Sequence, residues 1–205
     1  LYDFANSGYT TVVLTAVFSA YFVSVVVGEP TLGTLLWTTT LSVSHLIVML
    51  TVPFIGAHSD RVQRRRGLLV ATTVGCVICT AGLFGAGPGG VAWAMALVLL
   101  SNVFFSWGES LISSYLPTLA RAPAMGRVSG WGWGLGYLGG MLTLGLCLAY
   151  VLHAQAQGRT AAMFVPVTML MTAGVFLVAA TVSISLLKDP PGRVGDVSPA
   201  WQRLR

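Results

Sequence analysis

Gly56-Ala57-His58-Ser59-Asp60-Arg61-Val62-Gln63-Arg64-Arg65-Arg66 divides two long apolar runs. Of the 11 basic and 6 acidic side chains in the chain, five lie between Asp60 and Arg66, and four of those five are arginines. So dense a charge cluster is too costly to place in hydrocarbon. It therefore marks a loop at one face of a membrane, provided the flanking runs are spans. Composition says that they are: 8% of the 205 residues are charged and 55% are hydrophobic, whereas a soluble domain carries about 25% charged residues. In a soluble protein the net charge of +5 would suggest a nucleic-acid partner. Here the arginines sit in short connections, as membrane orientation requires, and no nucleic acid is expected.

A transmembrane helix needs about 20 predominantly apolar residues. The apolar runs and their Gly, Pro and charged breakers predict an all-α bundle of six transmembrane helices over residues 1–187. The spans fall near 5–27, 33–57, 67–86, 91–116, 128–152 and 161–187. Asp189-Pro190-Pro191-Gly192 ends the sixth, leaving 188–205 as a cytoplasmic linker or tail. Six crossings place the second and fourth connections and the tail on one side. That side collects the four arginines of the knot, Arg121, Arg127, Lys188, Arg193, Arg203 and Arg205, against Arg159 alone on the other. The positive-inside rule makes the basic side cytoplasmic, with the N-terminus, in a plasma (inner) membrane protein whose first partner is the lipid bilayer. The chain opens on Leu1-Tyr2-Asp3, without methionine or a leader pattern, and reads as a fragment or as lacking its true start.

A polar side chain within a span is costly, so its position informs. In span 4, Asn102, Ser106, Glu109 and Ser113 share one helical face, in span 2 Thr34, Thr38, Ser42 and His45, and in span 1 Asp3, Asn6, Ser7 and Thr10. Three such stripes, if they converge, line a hydrophilic path. Asp3, Asn6, Ser7, His45, Asn102 and Glu109 are therefore the candidates for the transport path or for coupling. Glu109 is either a proton-coupling or substrate-contacting carboxylate, or a structural one paired with an arginine such as Arg61 or Arg127. For His45 the alternatives are a proton relay and a hydrogen-bonded structural histidine.

Span 5 contains two ridges of glycines four residues apart, Gly132/Gly136/Gly140 and Gly126/Gly130/Gly134, with Gly139 between. Gly132, Gly136, Gly139 and Gly140 are read as helix-packing residues that allow close approach and a sliding seam. Gly134, Gly136 and Gly139 also spell G-x-G-x-x-G, but a dinucleotide site needs a preceding strand, which is lacking. Cys76 and Cys79 form a C-x-x-C and Cys147 stands alone, all in apolar runs where they read as small packing residues; neither disulfide nor metal is implied. No nucleophile–base pair, metal-ligand cluster or phosphate loop occurs, so the reading is not an enzyme and calls for no cofactor.

The knot resembles the loop between helices two and three of the major facilitator superfamily, G-x-x-x-D-R-x-G-R-R, on Gly56, Asp60, Arg61, Arg64 and Arg65, with Gln63 where the pattern has glycine. Tyr2-Asp3-Phe4-Ala5-Asn6-Ser7, Tyr115-Leu116-Pro117 and Gly126-Arg127-Val128-Ser129-Gly130-Trp131-Gly132 resemble its Atg22-like or UMF1 permease branch. Gly139 and Gly140 match the end of the antiporter motif G-P-x-x-G-G, but Leu135-Gly136 replaces Gly-Pro. The resemblance implies the N-terminal half of a twelve-helix fold built from inverted three-helix repeats. It implies a small-molecule substrate moved by alternating access, with amino-acid efflux as the leading class, protons as a candidate coupling ion, and the absent C-terminal six helices as partner. It also implies that Gly56, Asp60, Arg61, Arg64 and Arg65 form a conformational latch, with Asp60 capping a helix N-terminus. The alternative is a membrane scaffold or sensor that keeps the fold without transport.

Overall fold

The computed structural model describes residues 2–62, 65–115 and 125–187, and all the regular structure among them is helical. Six helices among the described residues are long and apolar enough to cross a bilayer. Span 1 is Tyr2–Val27, span 2 Pro30–Val62 and span 3 Arg65–Gly82, which tightens into a 3-10 turn at Leu83–Gly85. Span 4 is Val91–Ser113, span 5 Met125–Ala156 and span 6 Ala161–Leu186. All-helical construction follows from the solvent, because hydrocarbon offers no partner to a backbone N–H or C=O.

Spans 2 and 5 run past both ends that hydropathy suggests. At the start of span 2 the cause is local chemistry. Gly28 takes φ 77°, a left-handed conformation that ends span 1. Glu29 then caps span 2, accepting hydrogen bonds from the backbone N–H groups of Thr31 (3.0 Å) and Leu32 (2.6 Å). Pro30 occupies the first helical position, where its missing N–H costs nothing. Gly28-Glu29-Pro30 is thus a helix end and a helix start in three residues.

The packing has an internal symmetry. Span 1 packs on spans 5 and 6, and span 4 packs on spans 2 and 3. Exchanging spans 1, 2, 3 for 4, 5, 6 maps one set of neighbours on the other, and maps the contact between spans 3 and 6 on itself. Successive crossings alternate in direction, so spans 1 and 4 run oppositely. This is the neighbour pattern of inverted three-helix repeats, half of a major-facilitator fold. Burial follows the same order: 44% of the apolar window of span 6 is buried but only 11% of that of span 2.

Span 1 is not a uniform α-helix. It is α over Tyr2–Tyr9, widens to a π-helix over Thr10–Ala16, tightens at Phe18–Tyr21 and widens again over Phe22–Val27. Three tyrosines fix it against its neighbours. The hydroxyls of Tyr2 and Tyr9 are hydrogen-bonded to Thr73 of span 3 (2.9 Å) and Ser101 of span 4 (2.7 Å), and the Tyr21 hydroxyl donates to the Ala86 carbonyl (2.9 Å).

Its other flank meets span 5 through glycines. A Cβ on Gly139 would stand 2.7 Å from Phe4 Cα and closer still to the Phe4 carbonyl oxygen. One on Gly140 would lie 3.1 Å from Thr11 Oγ1, and one on Gly136 3.0 Å from Ser7 Oγ. Gly8 answers from span 1, where a Cβ would meet Thr143 Oγ1 at 2.6 Å. The second ridge behaves differently: around Gly126, Gly130 and Gly134 there is nothing within 4 Å. Only one ridge of span 5 is a packing seam within the described residues.

Two predictions follow from these contacts. Gly139→Ala should destabilise the bundle by about 1–3 kcal/mol, the usual cost of overpacking, whereas Gly134→Ala should leave stability unchanged or slightly raised; thermal unfolding in detergent compares them. Glu29 supplies the second. The Leu32 N–H, and then that of Thr31, hold its carboxyl below its ordinary value of 4.5. Its contribution is therefore present above that value and lost as pH falls through the lower folded one. Acidification from about pH 5 to about pH 3 should lower the unfolding midpoint more in the wild type than in Glu29→Gln.

Candidate functional site

The seam with span 5 and the tyrosine anchors together set the rotation of span 1. Tyr2 and Tyr9 point to spans 3 and 4, so the face carrying Asp3, Asn6, Ser7 and Thr10 turns into the angle between spans 4 and 5. There a cavity of about 220 Å³ is lined by Asp3, Asn6, Ser7 and Thr10 of span 1, Phe105 and Glu109 of span 4, and Trp133, Gly136 and Tyr137 of span 5. A second cavity of about 430 Å³ shares Asp3, Glu109 and Trp133 and continues past Ser113, Ser129 and Ser183 to Leu187. These positions lie at the start of spans 1 and 5 and the end of spans 4 and 6. The cavities therefore occupy the end of the bundle that holds the second and fourth connections.

Charge and hydrogen bonding within the site are unbalanced. Two carboxylates face it, and no arginine or lysine lines either cavity among the described residues. Asn6 is 4% exposed, yet neither its Nδ2 nor its Oδ1 has a hydrogen-bond partner. Burying an amide unpaired costs a few kcal/mol, about 1–3 by mutational measures. Against this polar side stand aromatic rings. Phe105 stacks on Tyr9 with centroids 5.0 Å apart, and Trp133 and Tyr137 meet edge to face at 6.1 Å and 79°.

The structure thus brings together Asp3, Asn6, Ser7 and Glu109, and sets His45 and Asn102 apart. Asn102, 1% exposed, donates from Nδ2 to Ser44 Oγ at 2.7 Å and so ties span 4 to span 2. Trp107 does the same one and a half turns on, donating to Thr51 Oγ1 at 2.9 Å. Span 2 therefore turns its Ser44 and Thr51 side to the bundle, and Thr34, Thr38, Ser42 and His45 are exposed on the other. The polarity of three of them is absorbed by their own helix. Thr34 and Thr38 donate to the carbonyls of Pro30 (2.7 Å) and Thr34 (2.9 Å), and His45 Nδ1 bonds the Leu41 carbonyl (2.7 Å). Of three stripes expected to converge, two meet.

Of the latch residues, Gly56, Asp60 and Arg61 lie on the continuous helix of span 2, and Arg65 begins span 3. The backbone at Asp60 is thus still in the last turns of span 2. The side chains of Asp60 and Arg61, the whole of Arg64 and the 188–205 tail lie outside the described residues. Cys76, Cys79 and Cys147 are buried free thiols, and the described residues contain no group of three or more His, Cys, Asp or Glu able to hold a metal.

Phe105, Trp133 and Tyr137 were hidden in the sequence for a definite reason. An aromatic in a span reads as a lipid or core residue, and the glycines around Trp133 direct attention to packing. The available signal was spacing: Trp133, Gly136 and Tyr137 share a face, and that face must meet whatever Gly136 packs upon.

The family described as "Vacuole effluxer Atg22 like" matches residues 34–127, which include the arginine knot and Glu109 but not Asp3, Asn6 or Trp133. The "Uncharacterized MFS-type transporter YxiO" of Bacillus subtilis (strain 168) is 28% identical over 165 residues. That alignment takes in 77% of this chain but 37% of the relative, so the chain corresponds to well under half of the protein that it matches. No solved structure matches. With six apolar helices in inverted-repeat packing, the chain fits an Atg22-like fragment of the major facilitator superfamily.

Proposed function

We propose that this chain forms one half of a secondary transporter for small polar solutes, with amino-acid efflux as the leading class, working by alternating access. One observation carries the reading: a cavity with two carboxylates and an unpartnered amide opens at one end of an inverted-repeat bundle. A bundle that only had to be stable would gain by filling that space with apolar side chains. A transporter must leave it open, because the solute and the facing half supply the missing partners. The Atg22-like match and the "MFS-type transporter" name of the relative point the same way; the UMF1 branch is the part of that group the motifs favour.

In this reading the basic connections face the cytoplasm of a cell with the protein in its plasma (inner) membrane, and the cavity is open inward. Glu109 is the coupling carboxylate, because it alone brings a charge into the cavity from span 4. Gly56, Asp60, Arg61, Arg64 and Arg65 latch the cytoplasmic end against the second half. Rocking uses the span 1–span 5 seam, where glycines let the two helices come close.

Solute flux is the test. The full-length protein, reconstituted in liposomes and loaded with labelled amino acids, should show counterflow, and Glu109→Gln should remove any component driven by a proton gradient. Absence of flux for every amino acid and small polar solute tried would leave the scaffold reading in place. For the latch, Asp60→Asn should shift the balance of inward- and outward-open states. Equal labelling of cysteine probes at both faces, with and without the substitution, would contradict it.

A further inference from the structure

Three features of the cavity bear on what it can hold, and they are independent of one another. The first is charge. Asp3 from span 1 and Glu109 from span 4 face the same space, and the described residues place no cationic side chain on its walls. An anion brought here would meet two like charges, whereas a cation would be attracted by both. The second is the amide. Asn6 is 96% buried and lines the cavity with both polar atoms unpaired. Its Oδ1 lacks a donor and its Nδ2 an acceptor, so the amide marks a place for a polar solute and leaves the choice of charge to the carboxylates. The third is the wall opposite. Trp133 and Tyr137 form an aromatic corner at 79°, with Phe105 beside Glu109, and the faces of such rings attract a partly desolvated cation.

From these we infer that the cavity is the recognition site for an organic ammonium group, with Asp3 and Glu109 accepting its N–H donors and Trp133 and Tyr137 set against the attached carbon. A bare metal ion suits the site less well, since rings occupy the side where further oxygen ligands would stand. The volume of about 220 Å³ is enough for a small amine or the amino end of an amino acid. This rests on the transporter reading and sharpens it: the described half reads the amino end of the solute, and any carboxylate that the solute carries is met elsewhere.

Ligands that differ only in charge test this without altering the protein. Phenethylamine, phenylalanine and 3-phenylpropionate share one skeleton and present an ammonium, both ionic groups, and a carboxylate alone. Equilibrium binding to the full-length protein in nanodiscs should be measurable for the first two and at least about tenfold weaker for the third, the value of one charge-assisted hydrogen bond. Tighter binding of phenethylamine would identify a free amine as the source of the ammonium; tighter binding of phenylalanine would identify an α-amino acid. Asp3→Asn, Glu109→Gln and Trp133→Ala should each weaken phenethylamine on the order of tenfold, while Trp131→Ala, which lies off the cavity, should not. The inference is overturned if 3-phenylpropionate binds as well as phenethylamine, or if all three variants fold and bind phenethylamine like the wild type. Either result would leave solute flux, and with it the transporter reading, standing on its own measurement.

Discussion

The close approach of spans 1 and 5 is the constraint on which the rest of the site depends. At Gly139 a single added carbon would collide with the Phe4 backbone, and at Gly136 and Gly140 it would press on Ser7 and Thr11. Lipid tails are as apolar as leucine, so helices in a bilayer gain little by hiding apolar side chains from each other. They gain by close packing and by polar contacts, and both need backbones near enough to touch. The glycines grant that on one flank of span 1, and the Tyr2 and Tyr9 hydroxyls hold the other. With the rotation of span 1 thus fixed, Asp3 and Asn6 must face Glu109 and Trp133. Were the seam wider, span 1 could turn and bury its polar face against a neighbour.

The polar groups of the bundle divide into two classes. Most serine and threonine hydroxyls donate to a carbonyl three or four residues back, as Thr38, Thr51, Thr143 and Thr181 do. Such a group is satisfied wherever its face points, so it neither builds nor marks a site. Amides and carboxylates are too demanding for that remedy. Asn102 reaches across to Ser44 and becomes a tie between helices. Asn6 finds nothing, and Asp3 and Glu109 line open space. The last three are the polar groups that the described bundle leaves without a partner helix.

This division explains what could be read from the chain alone. Span number and order follow from hydropathy, because the bilayer sets a minimum apolar length and the charged knot and the Gly-Pro breaks have no other place to go. The Asp3, Asn6 and Glu109 candidates follow from a 3.6-residue period applied to groups that cannot satisfy themselves, and Ser7 shares the face of the first two. The same period at Thr34, Thr38, Ser42 and His45 gives a stripe that this half leaves exposed, while the bundle lies behind Ser44 and Thr51. Trp133 and Tyr137 escape because their role depends on which helix Gly136 touches, and no local pattern carries that. The π-helical turns of span 1 escape for a similar reason: Thr10–Ala16 holds no glycine or proline to announce a change of winding.

A cross-link tests the seam most directly. A Cβ on Gly136 would lie 3.6 Å from Asp3 Cβ, within the ~3.5–4.5 Å that a disulfide spans. The double substitution Asp3→Cys with Gly136→Cys, in the full-length protein in native membranes, should oxidise readily, so that the chain stays joined after proteolytic cleavage of the connection between spans 4 and 5. Asp3→Cys with Gly134→Cys should not. Failure of the first pair to join, or equal joining of both pairs, would mean that spans 1 and 5 do not meet on this face, and that Asp3, Asn6 and Glu109 do not share a cavity.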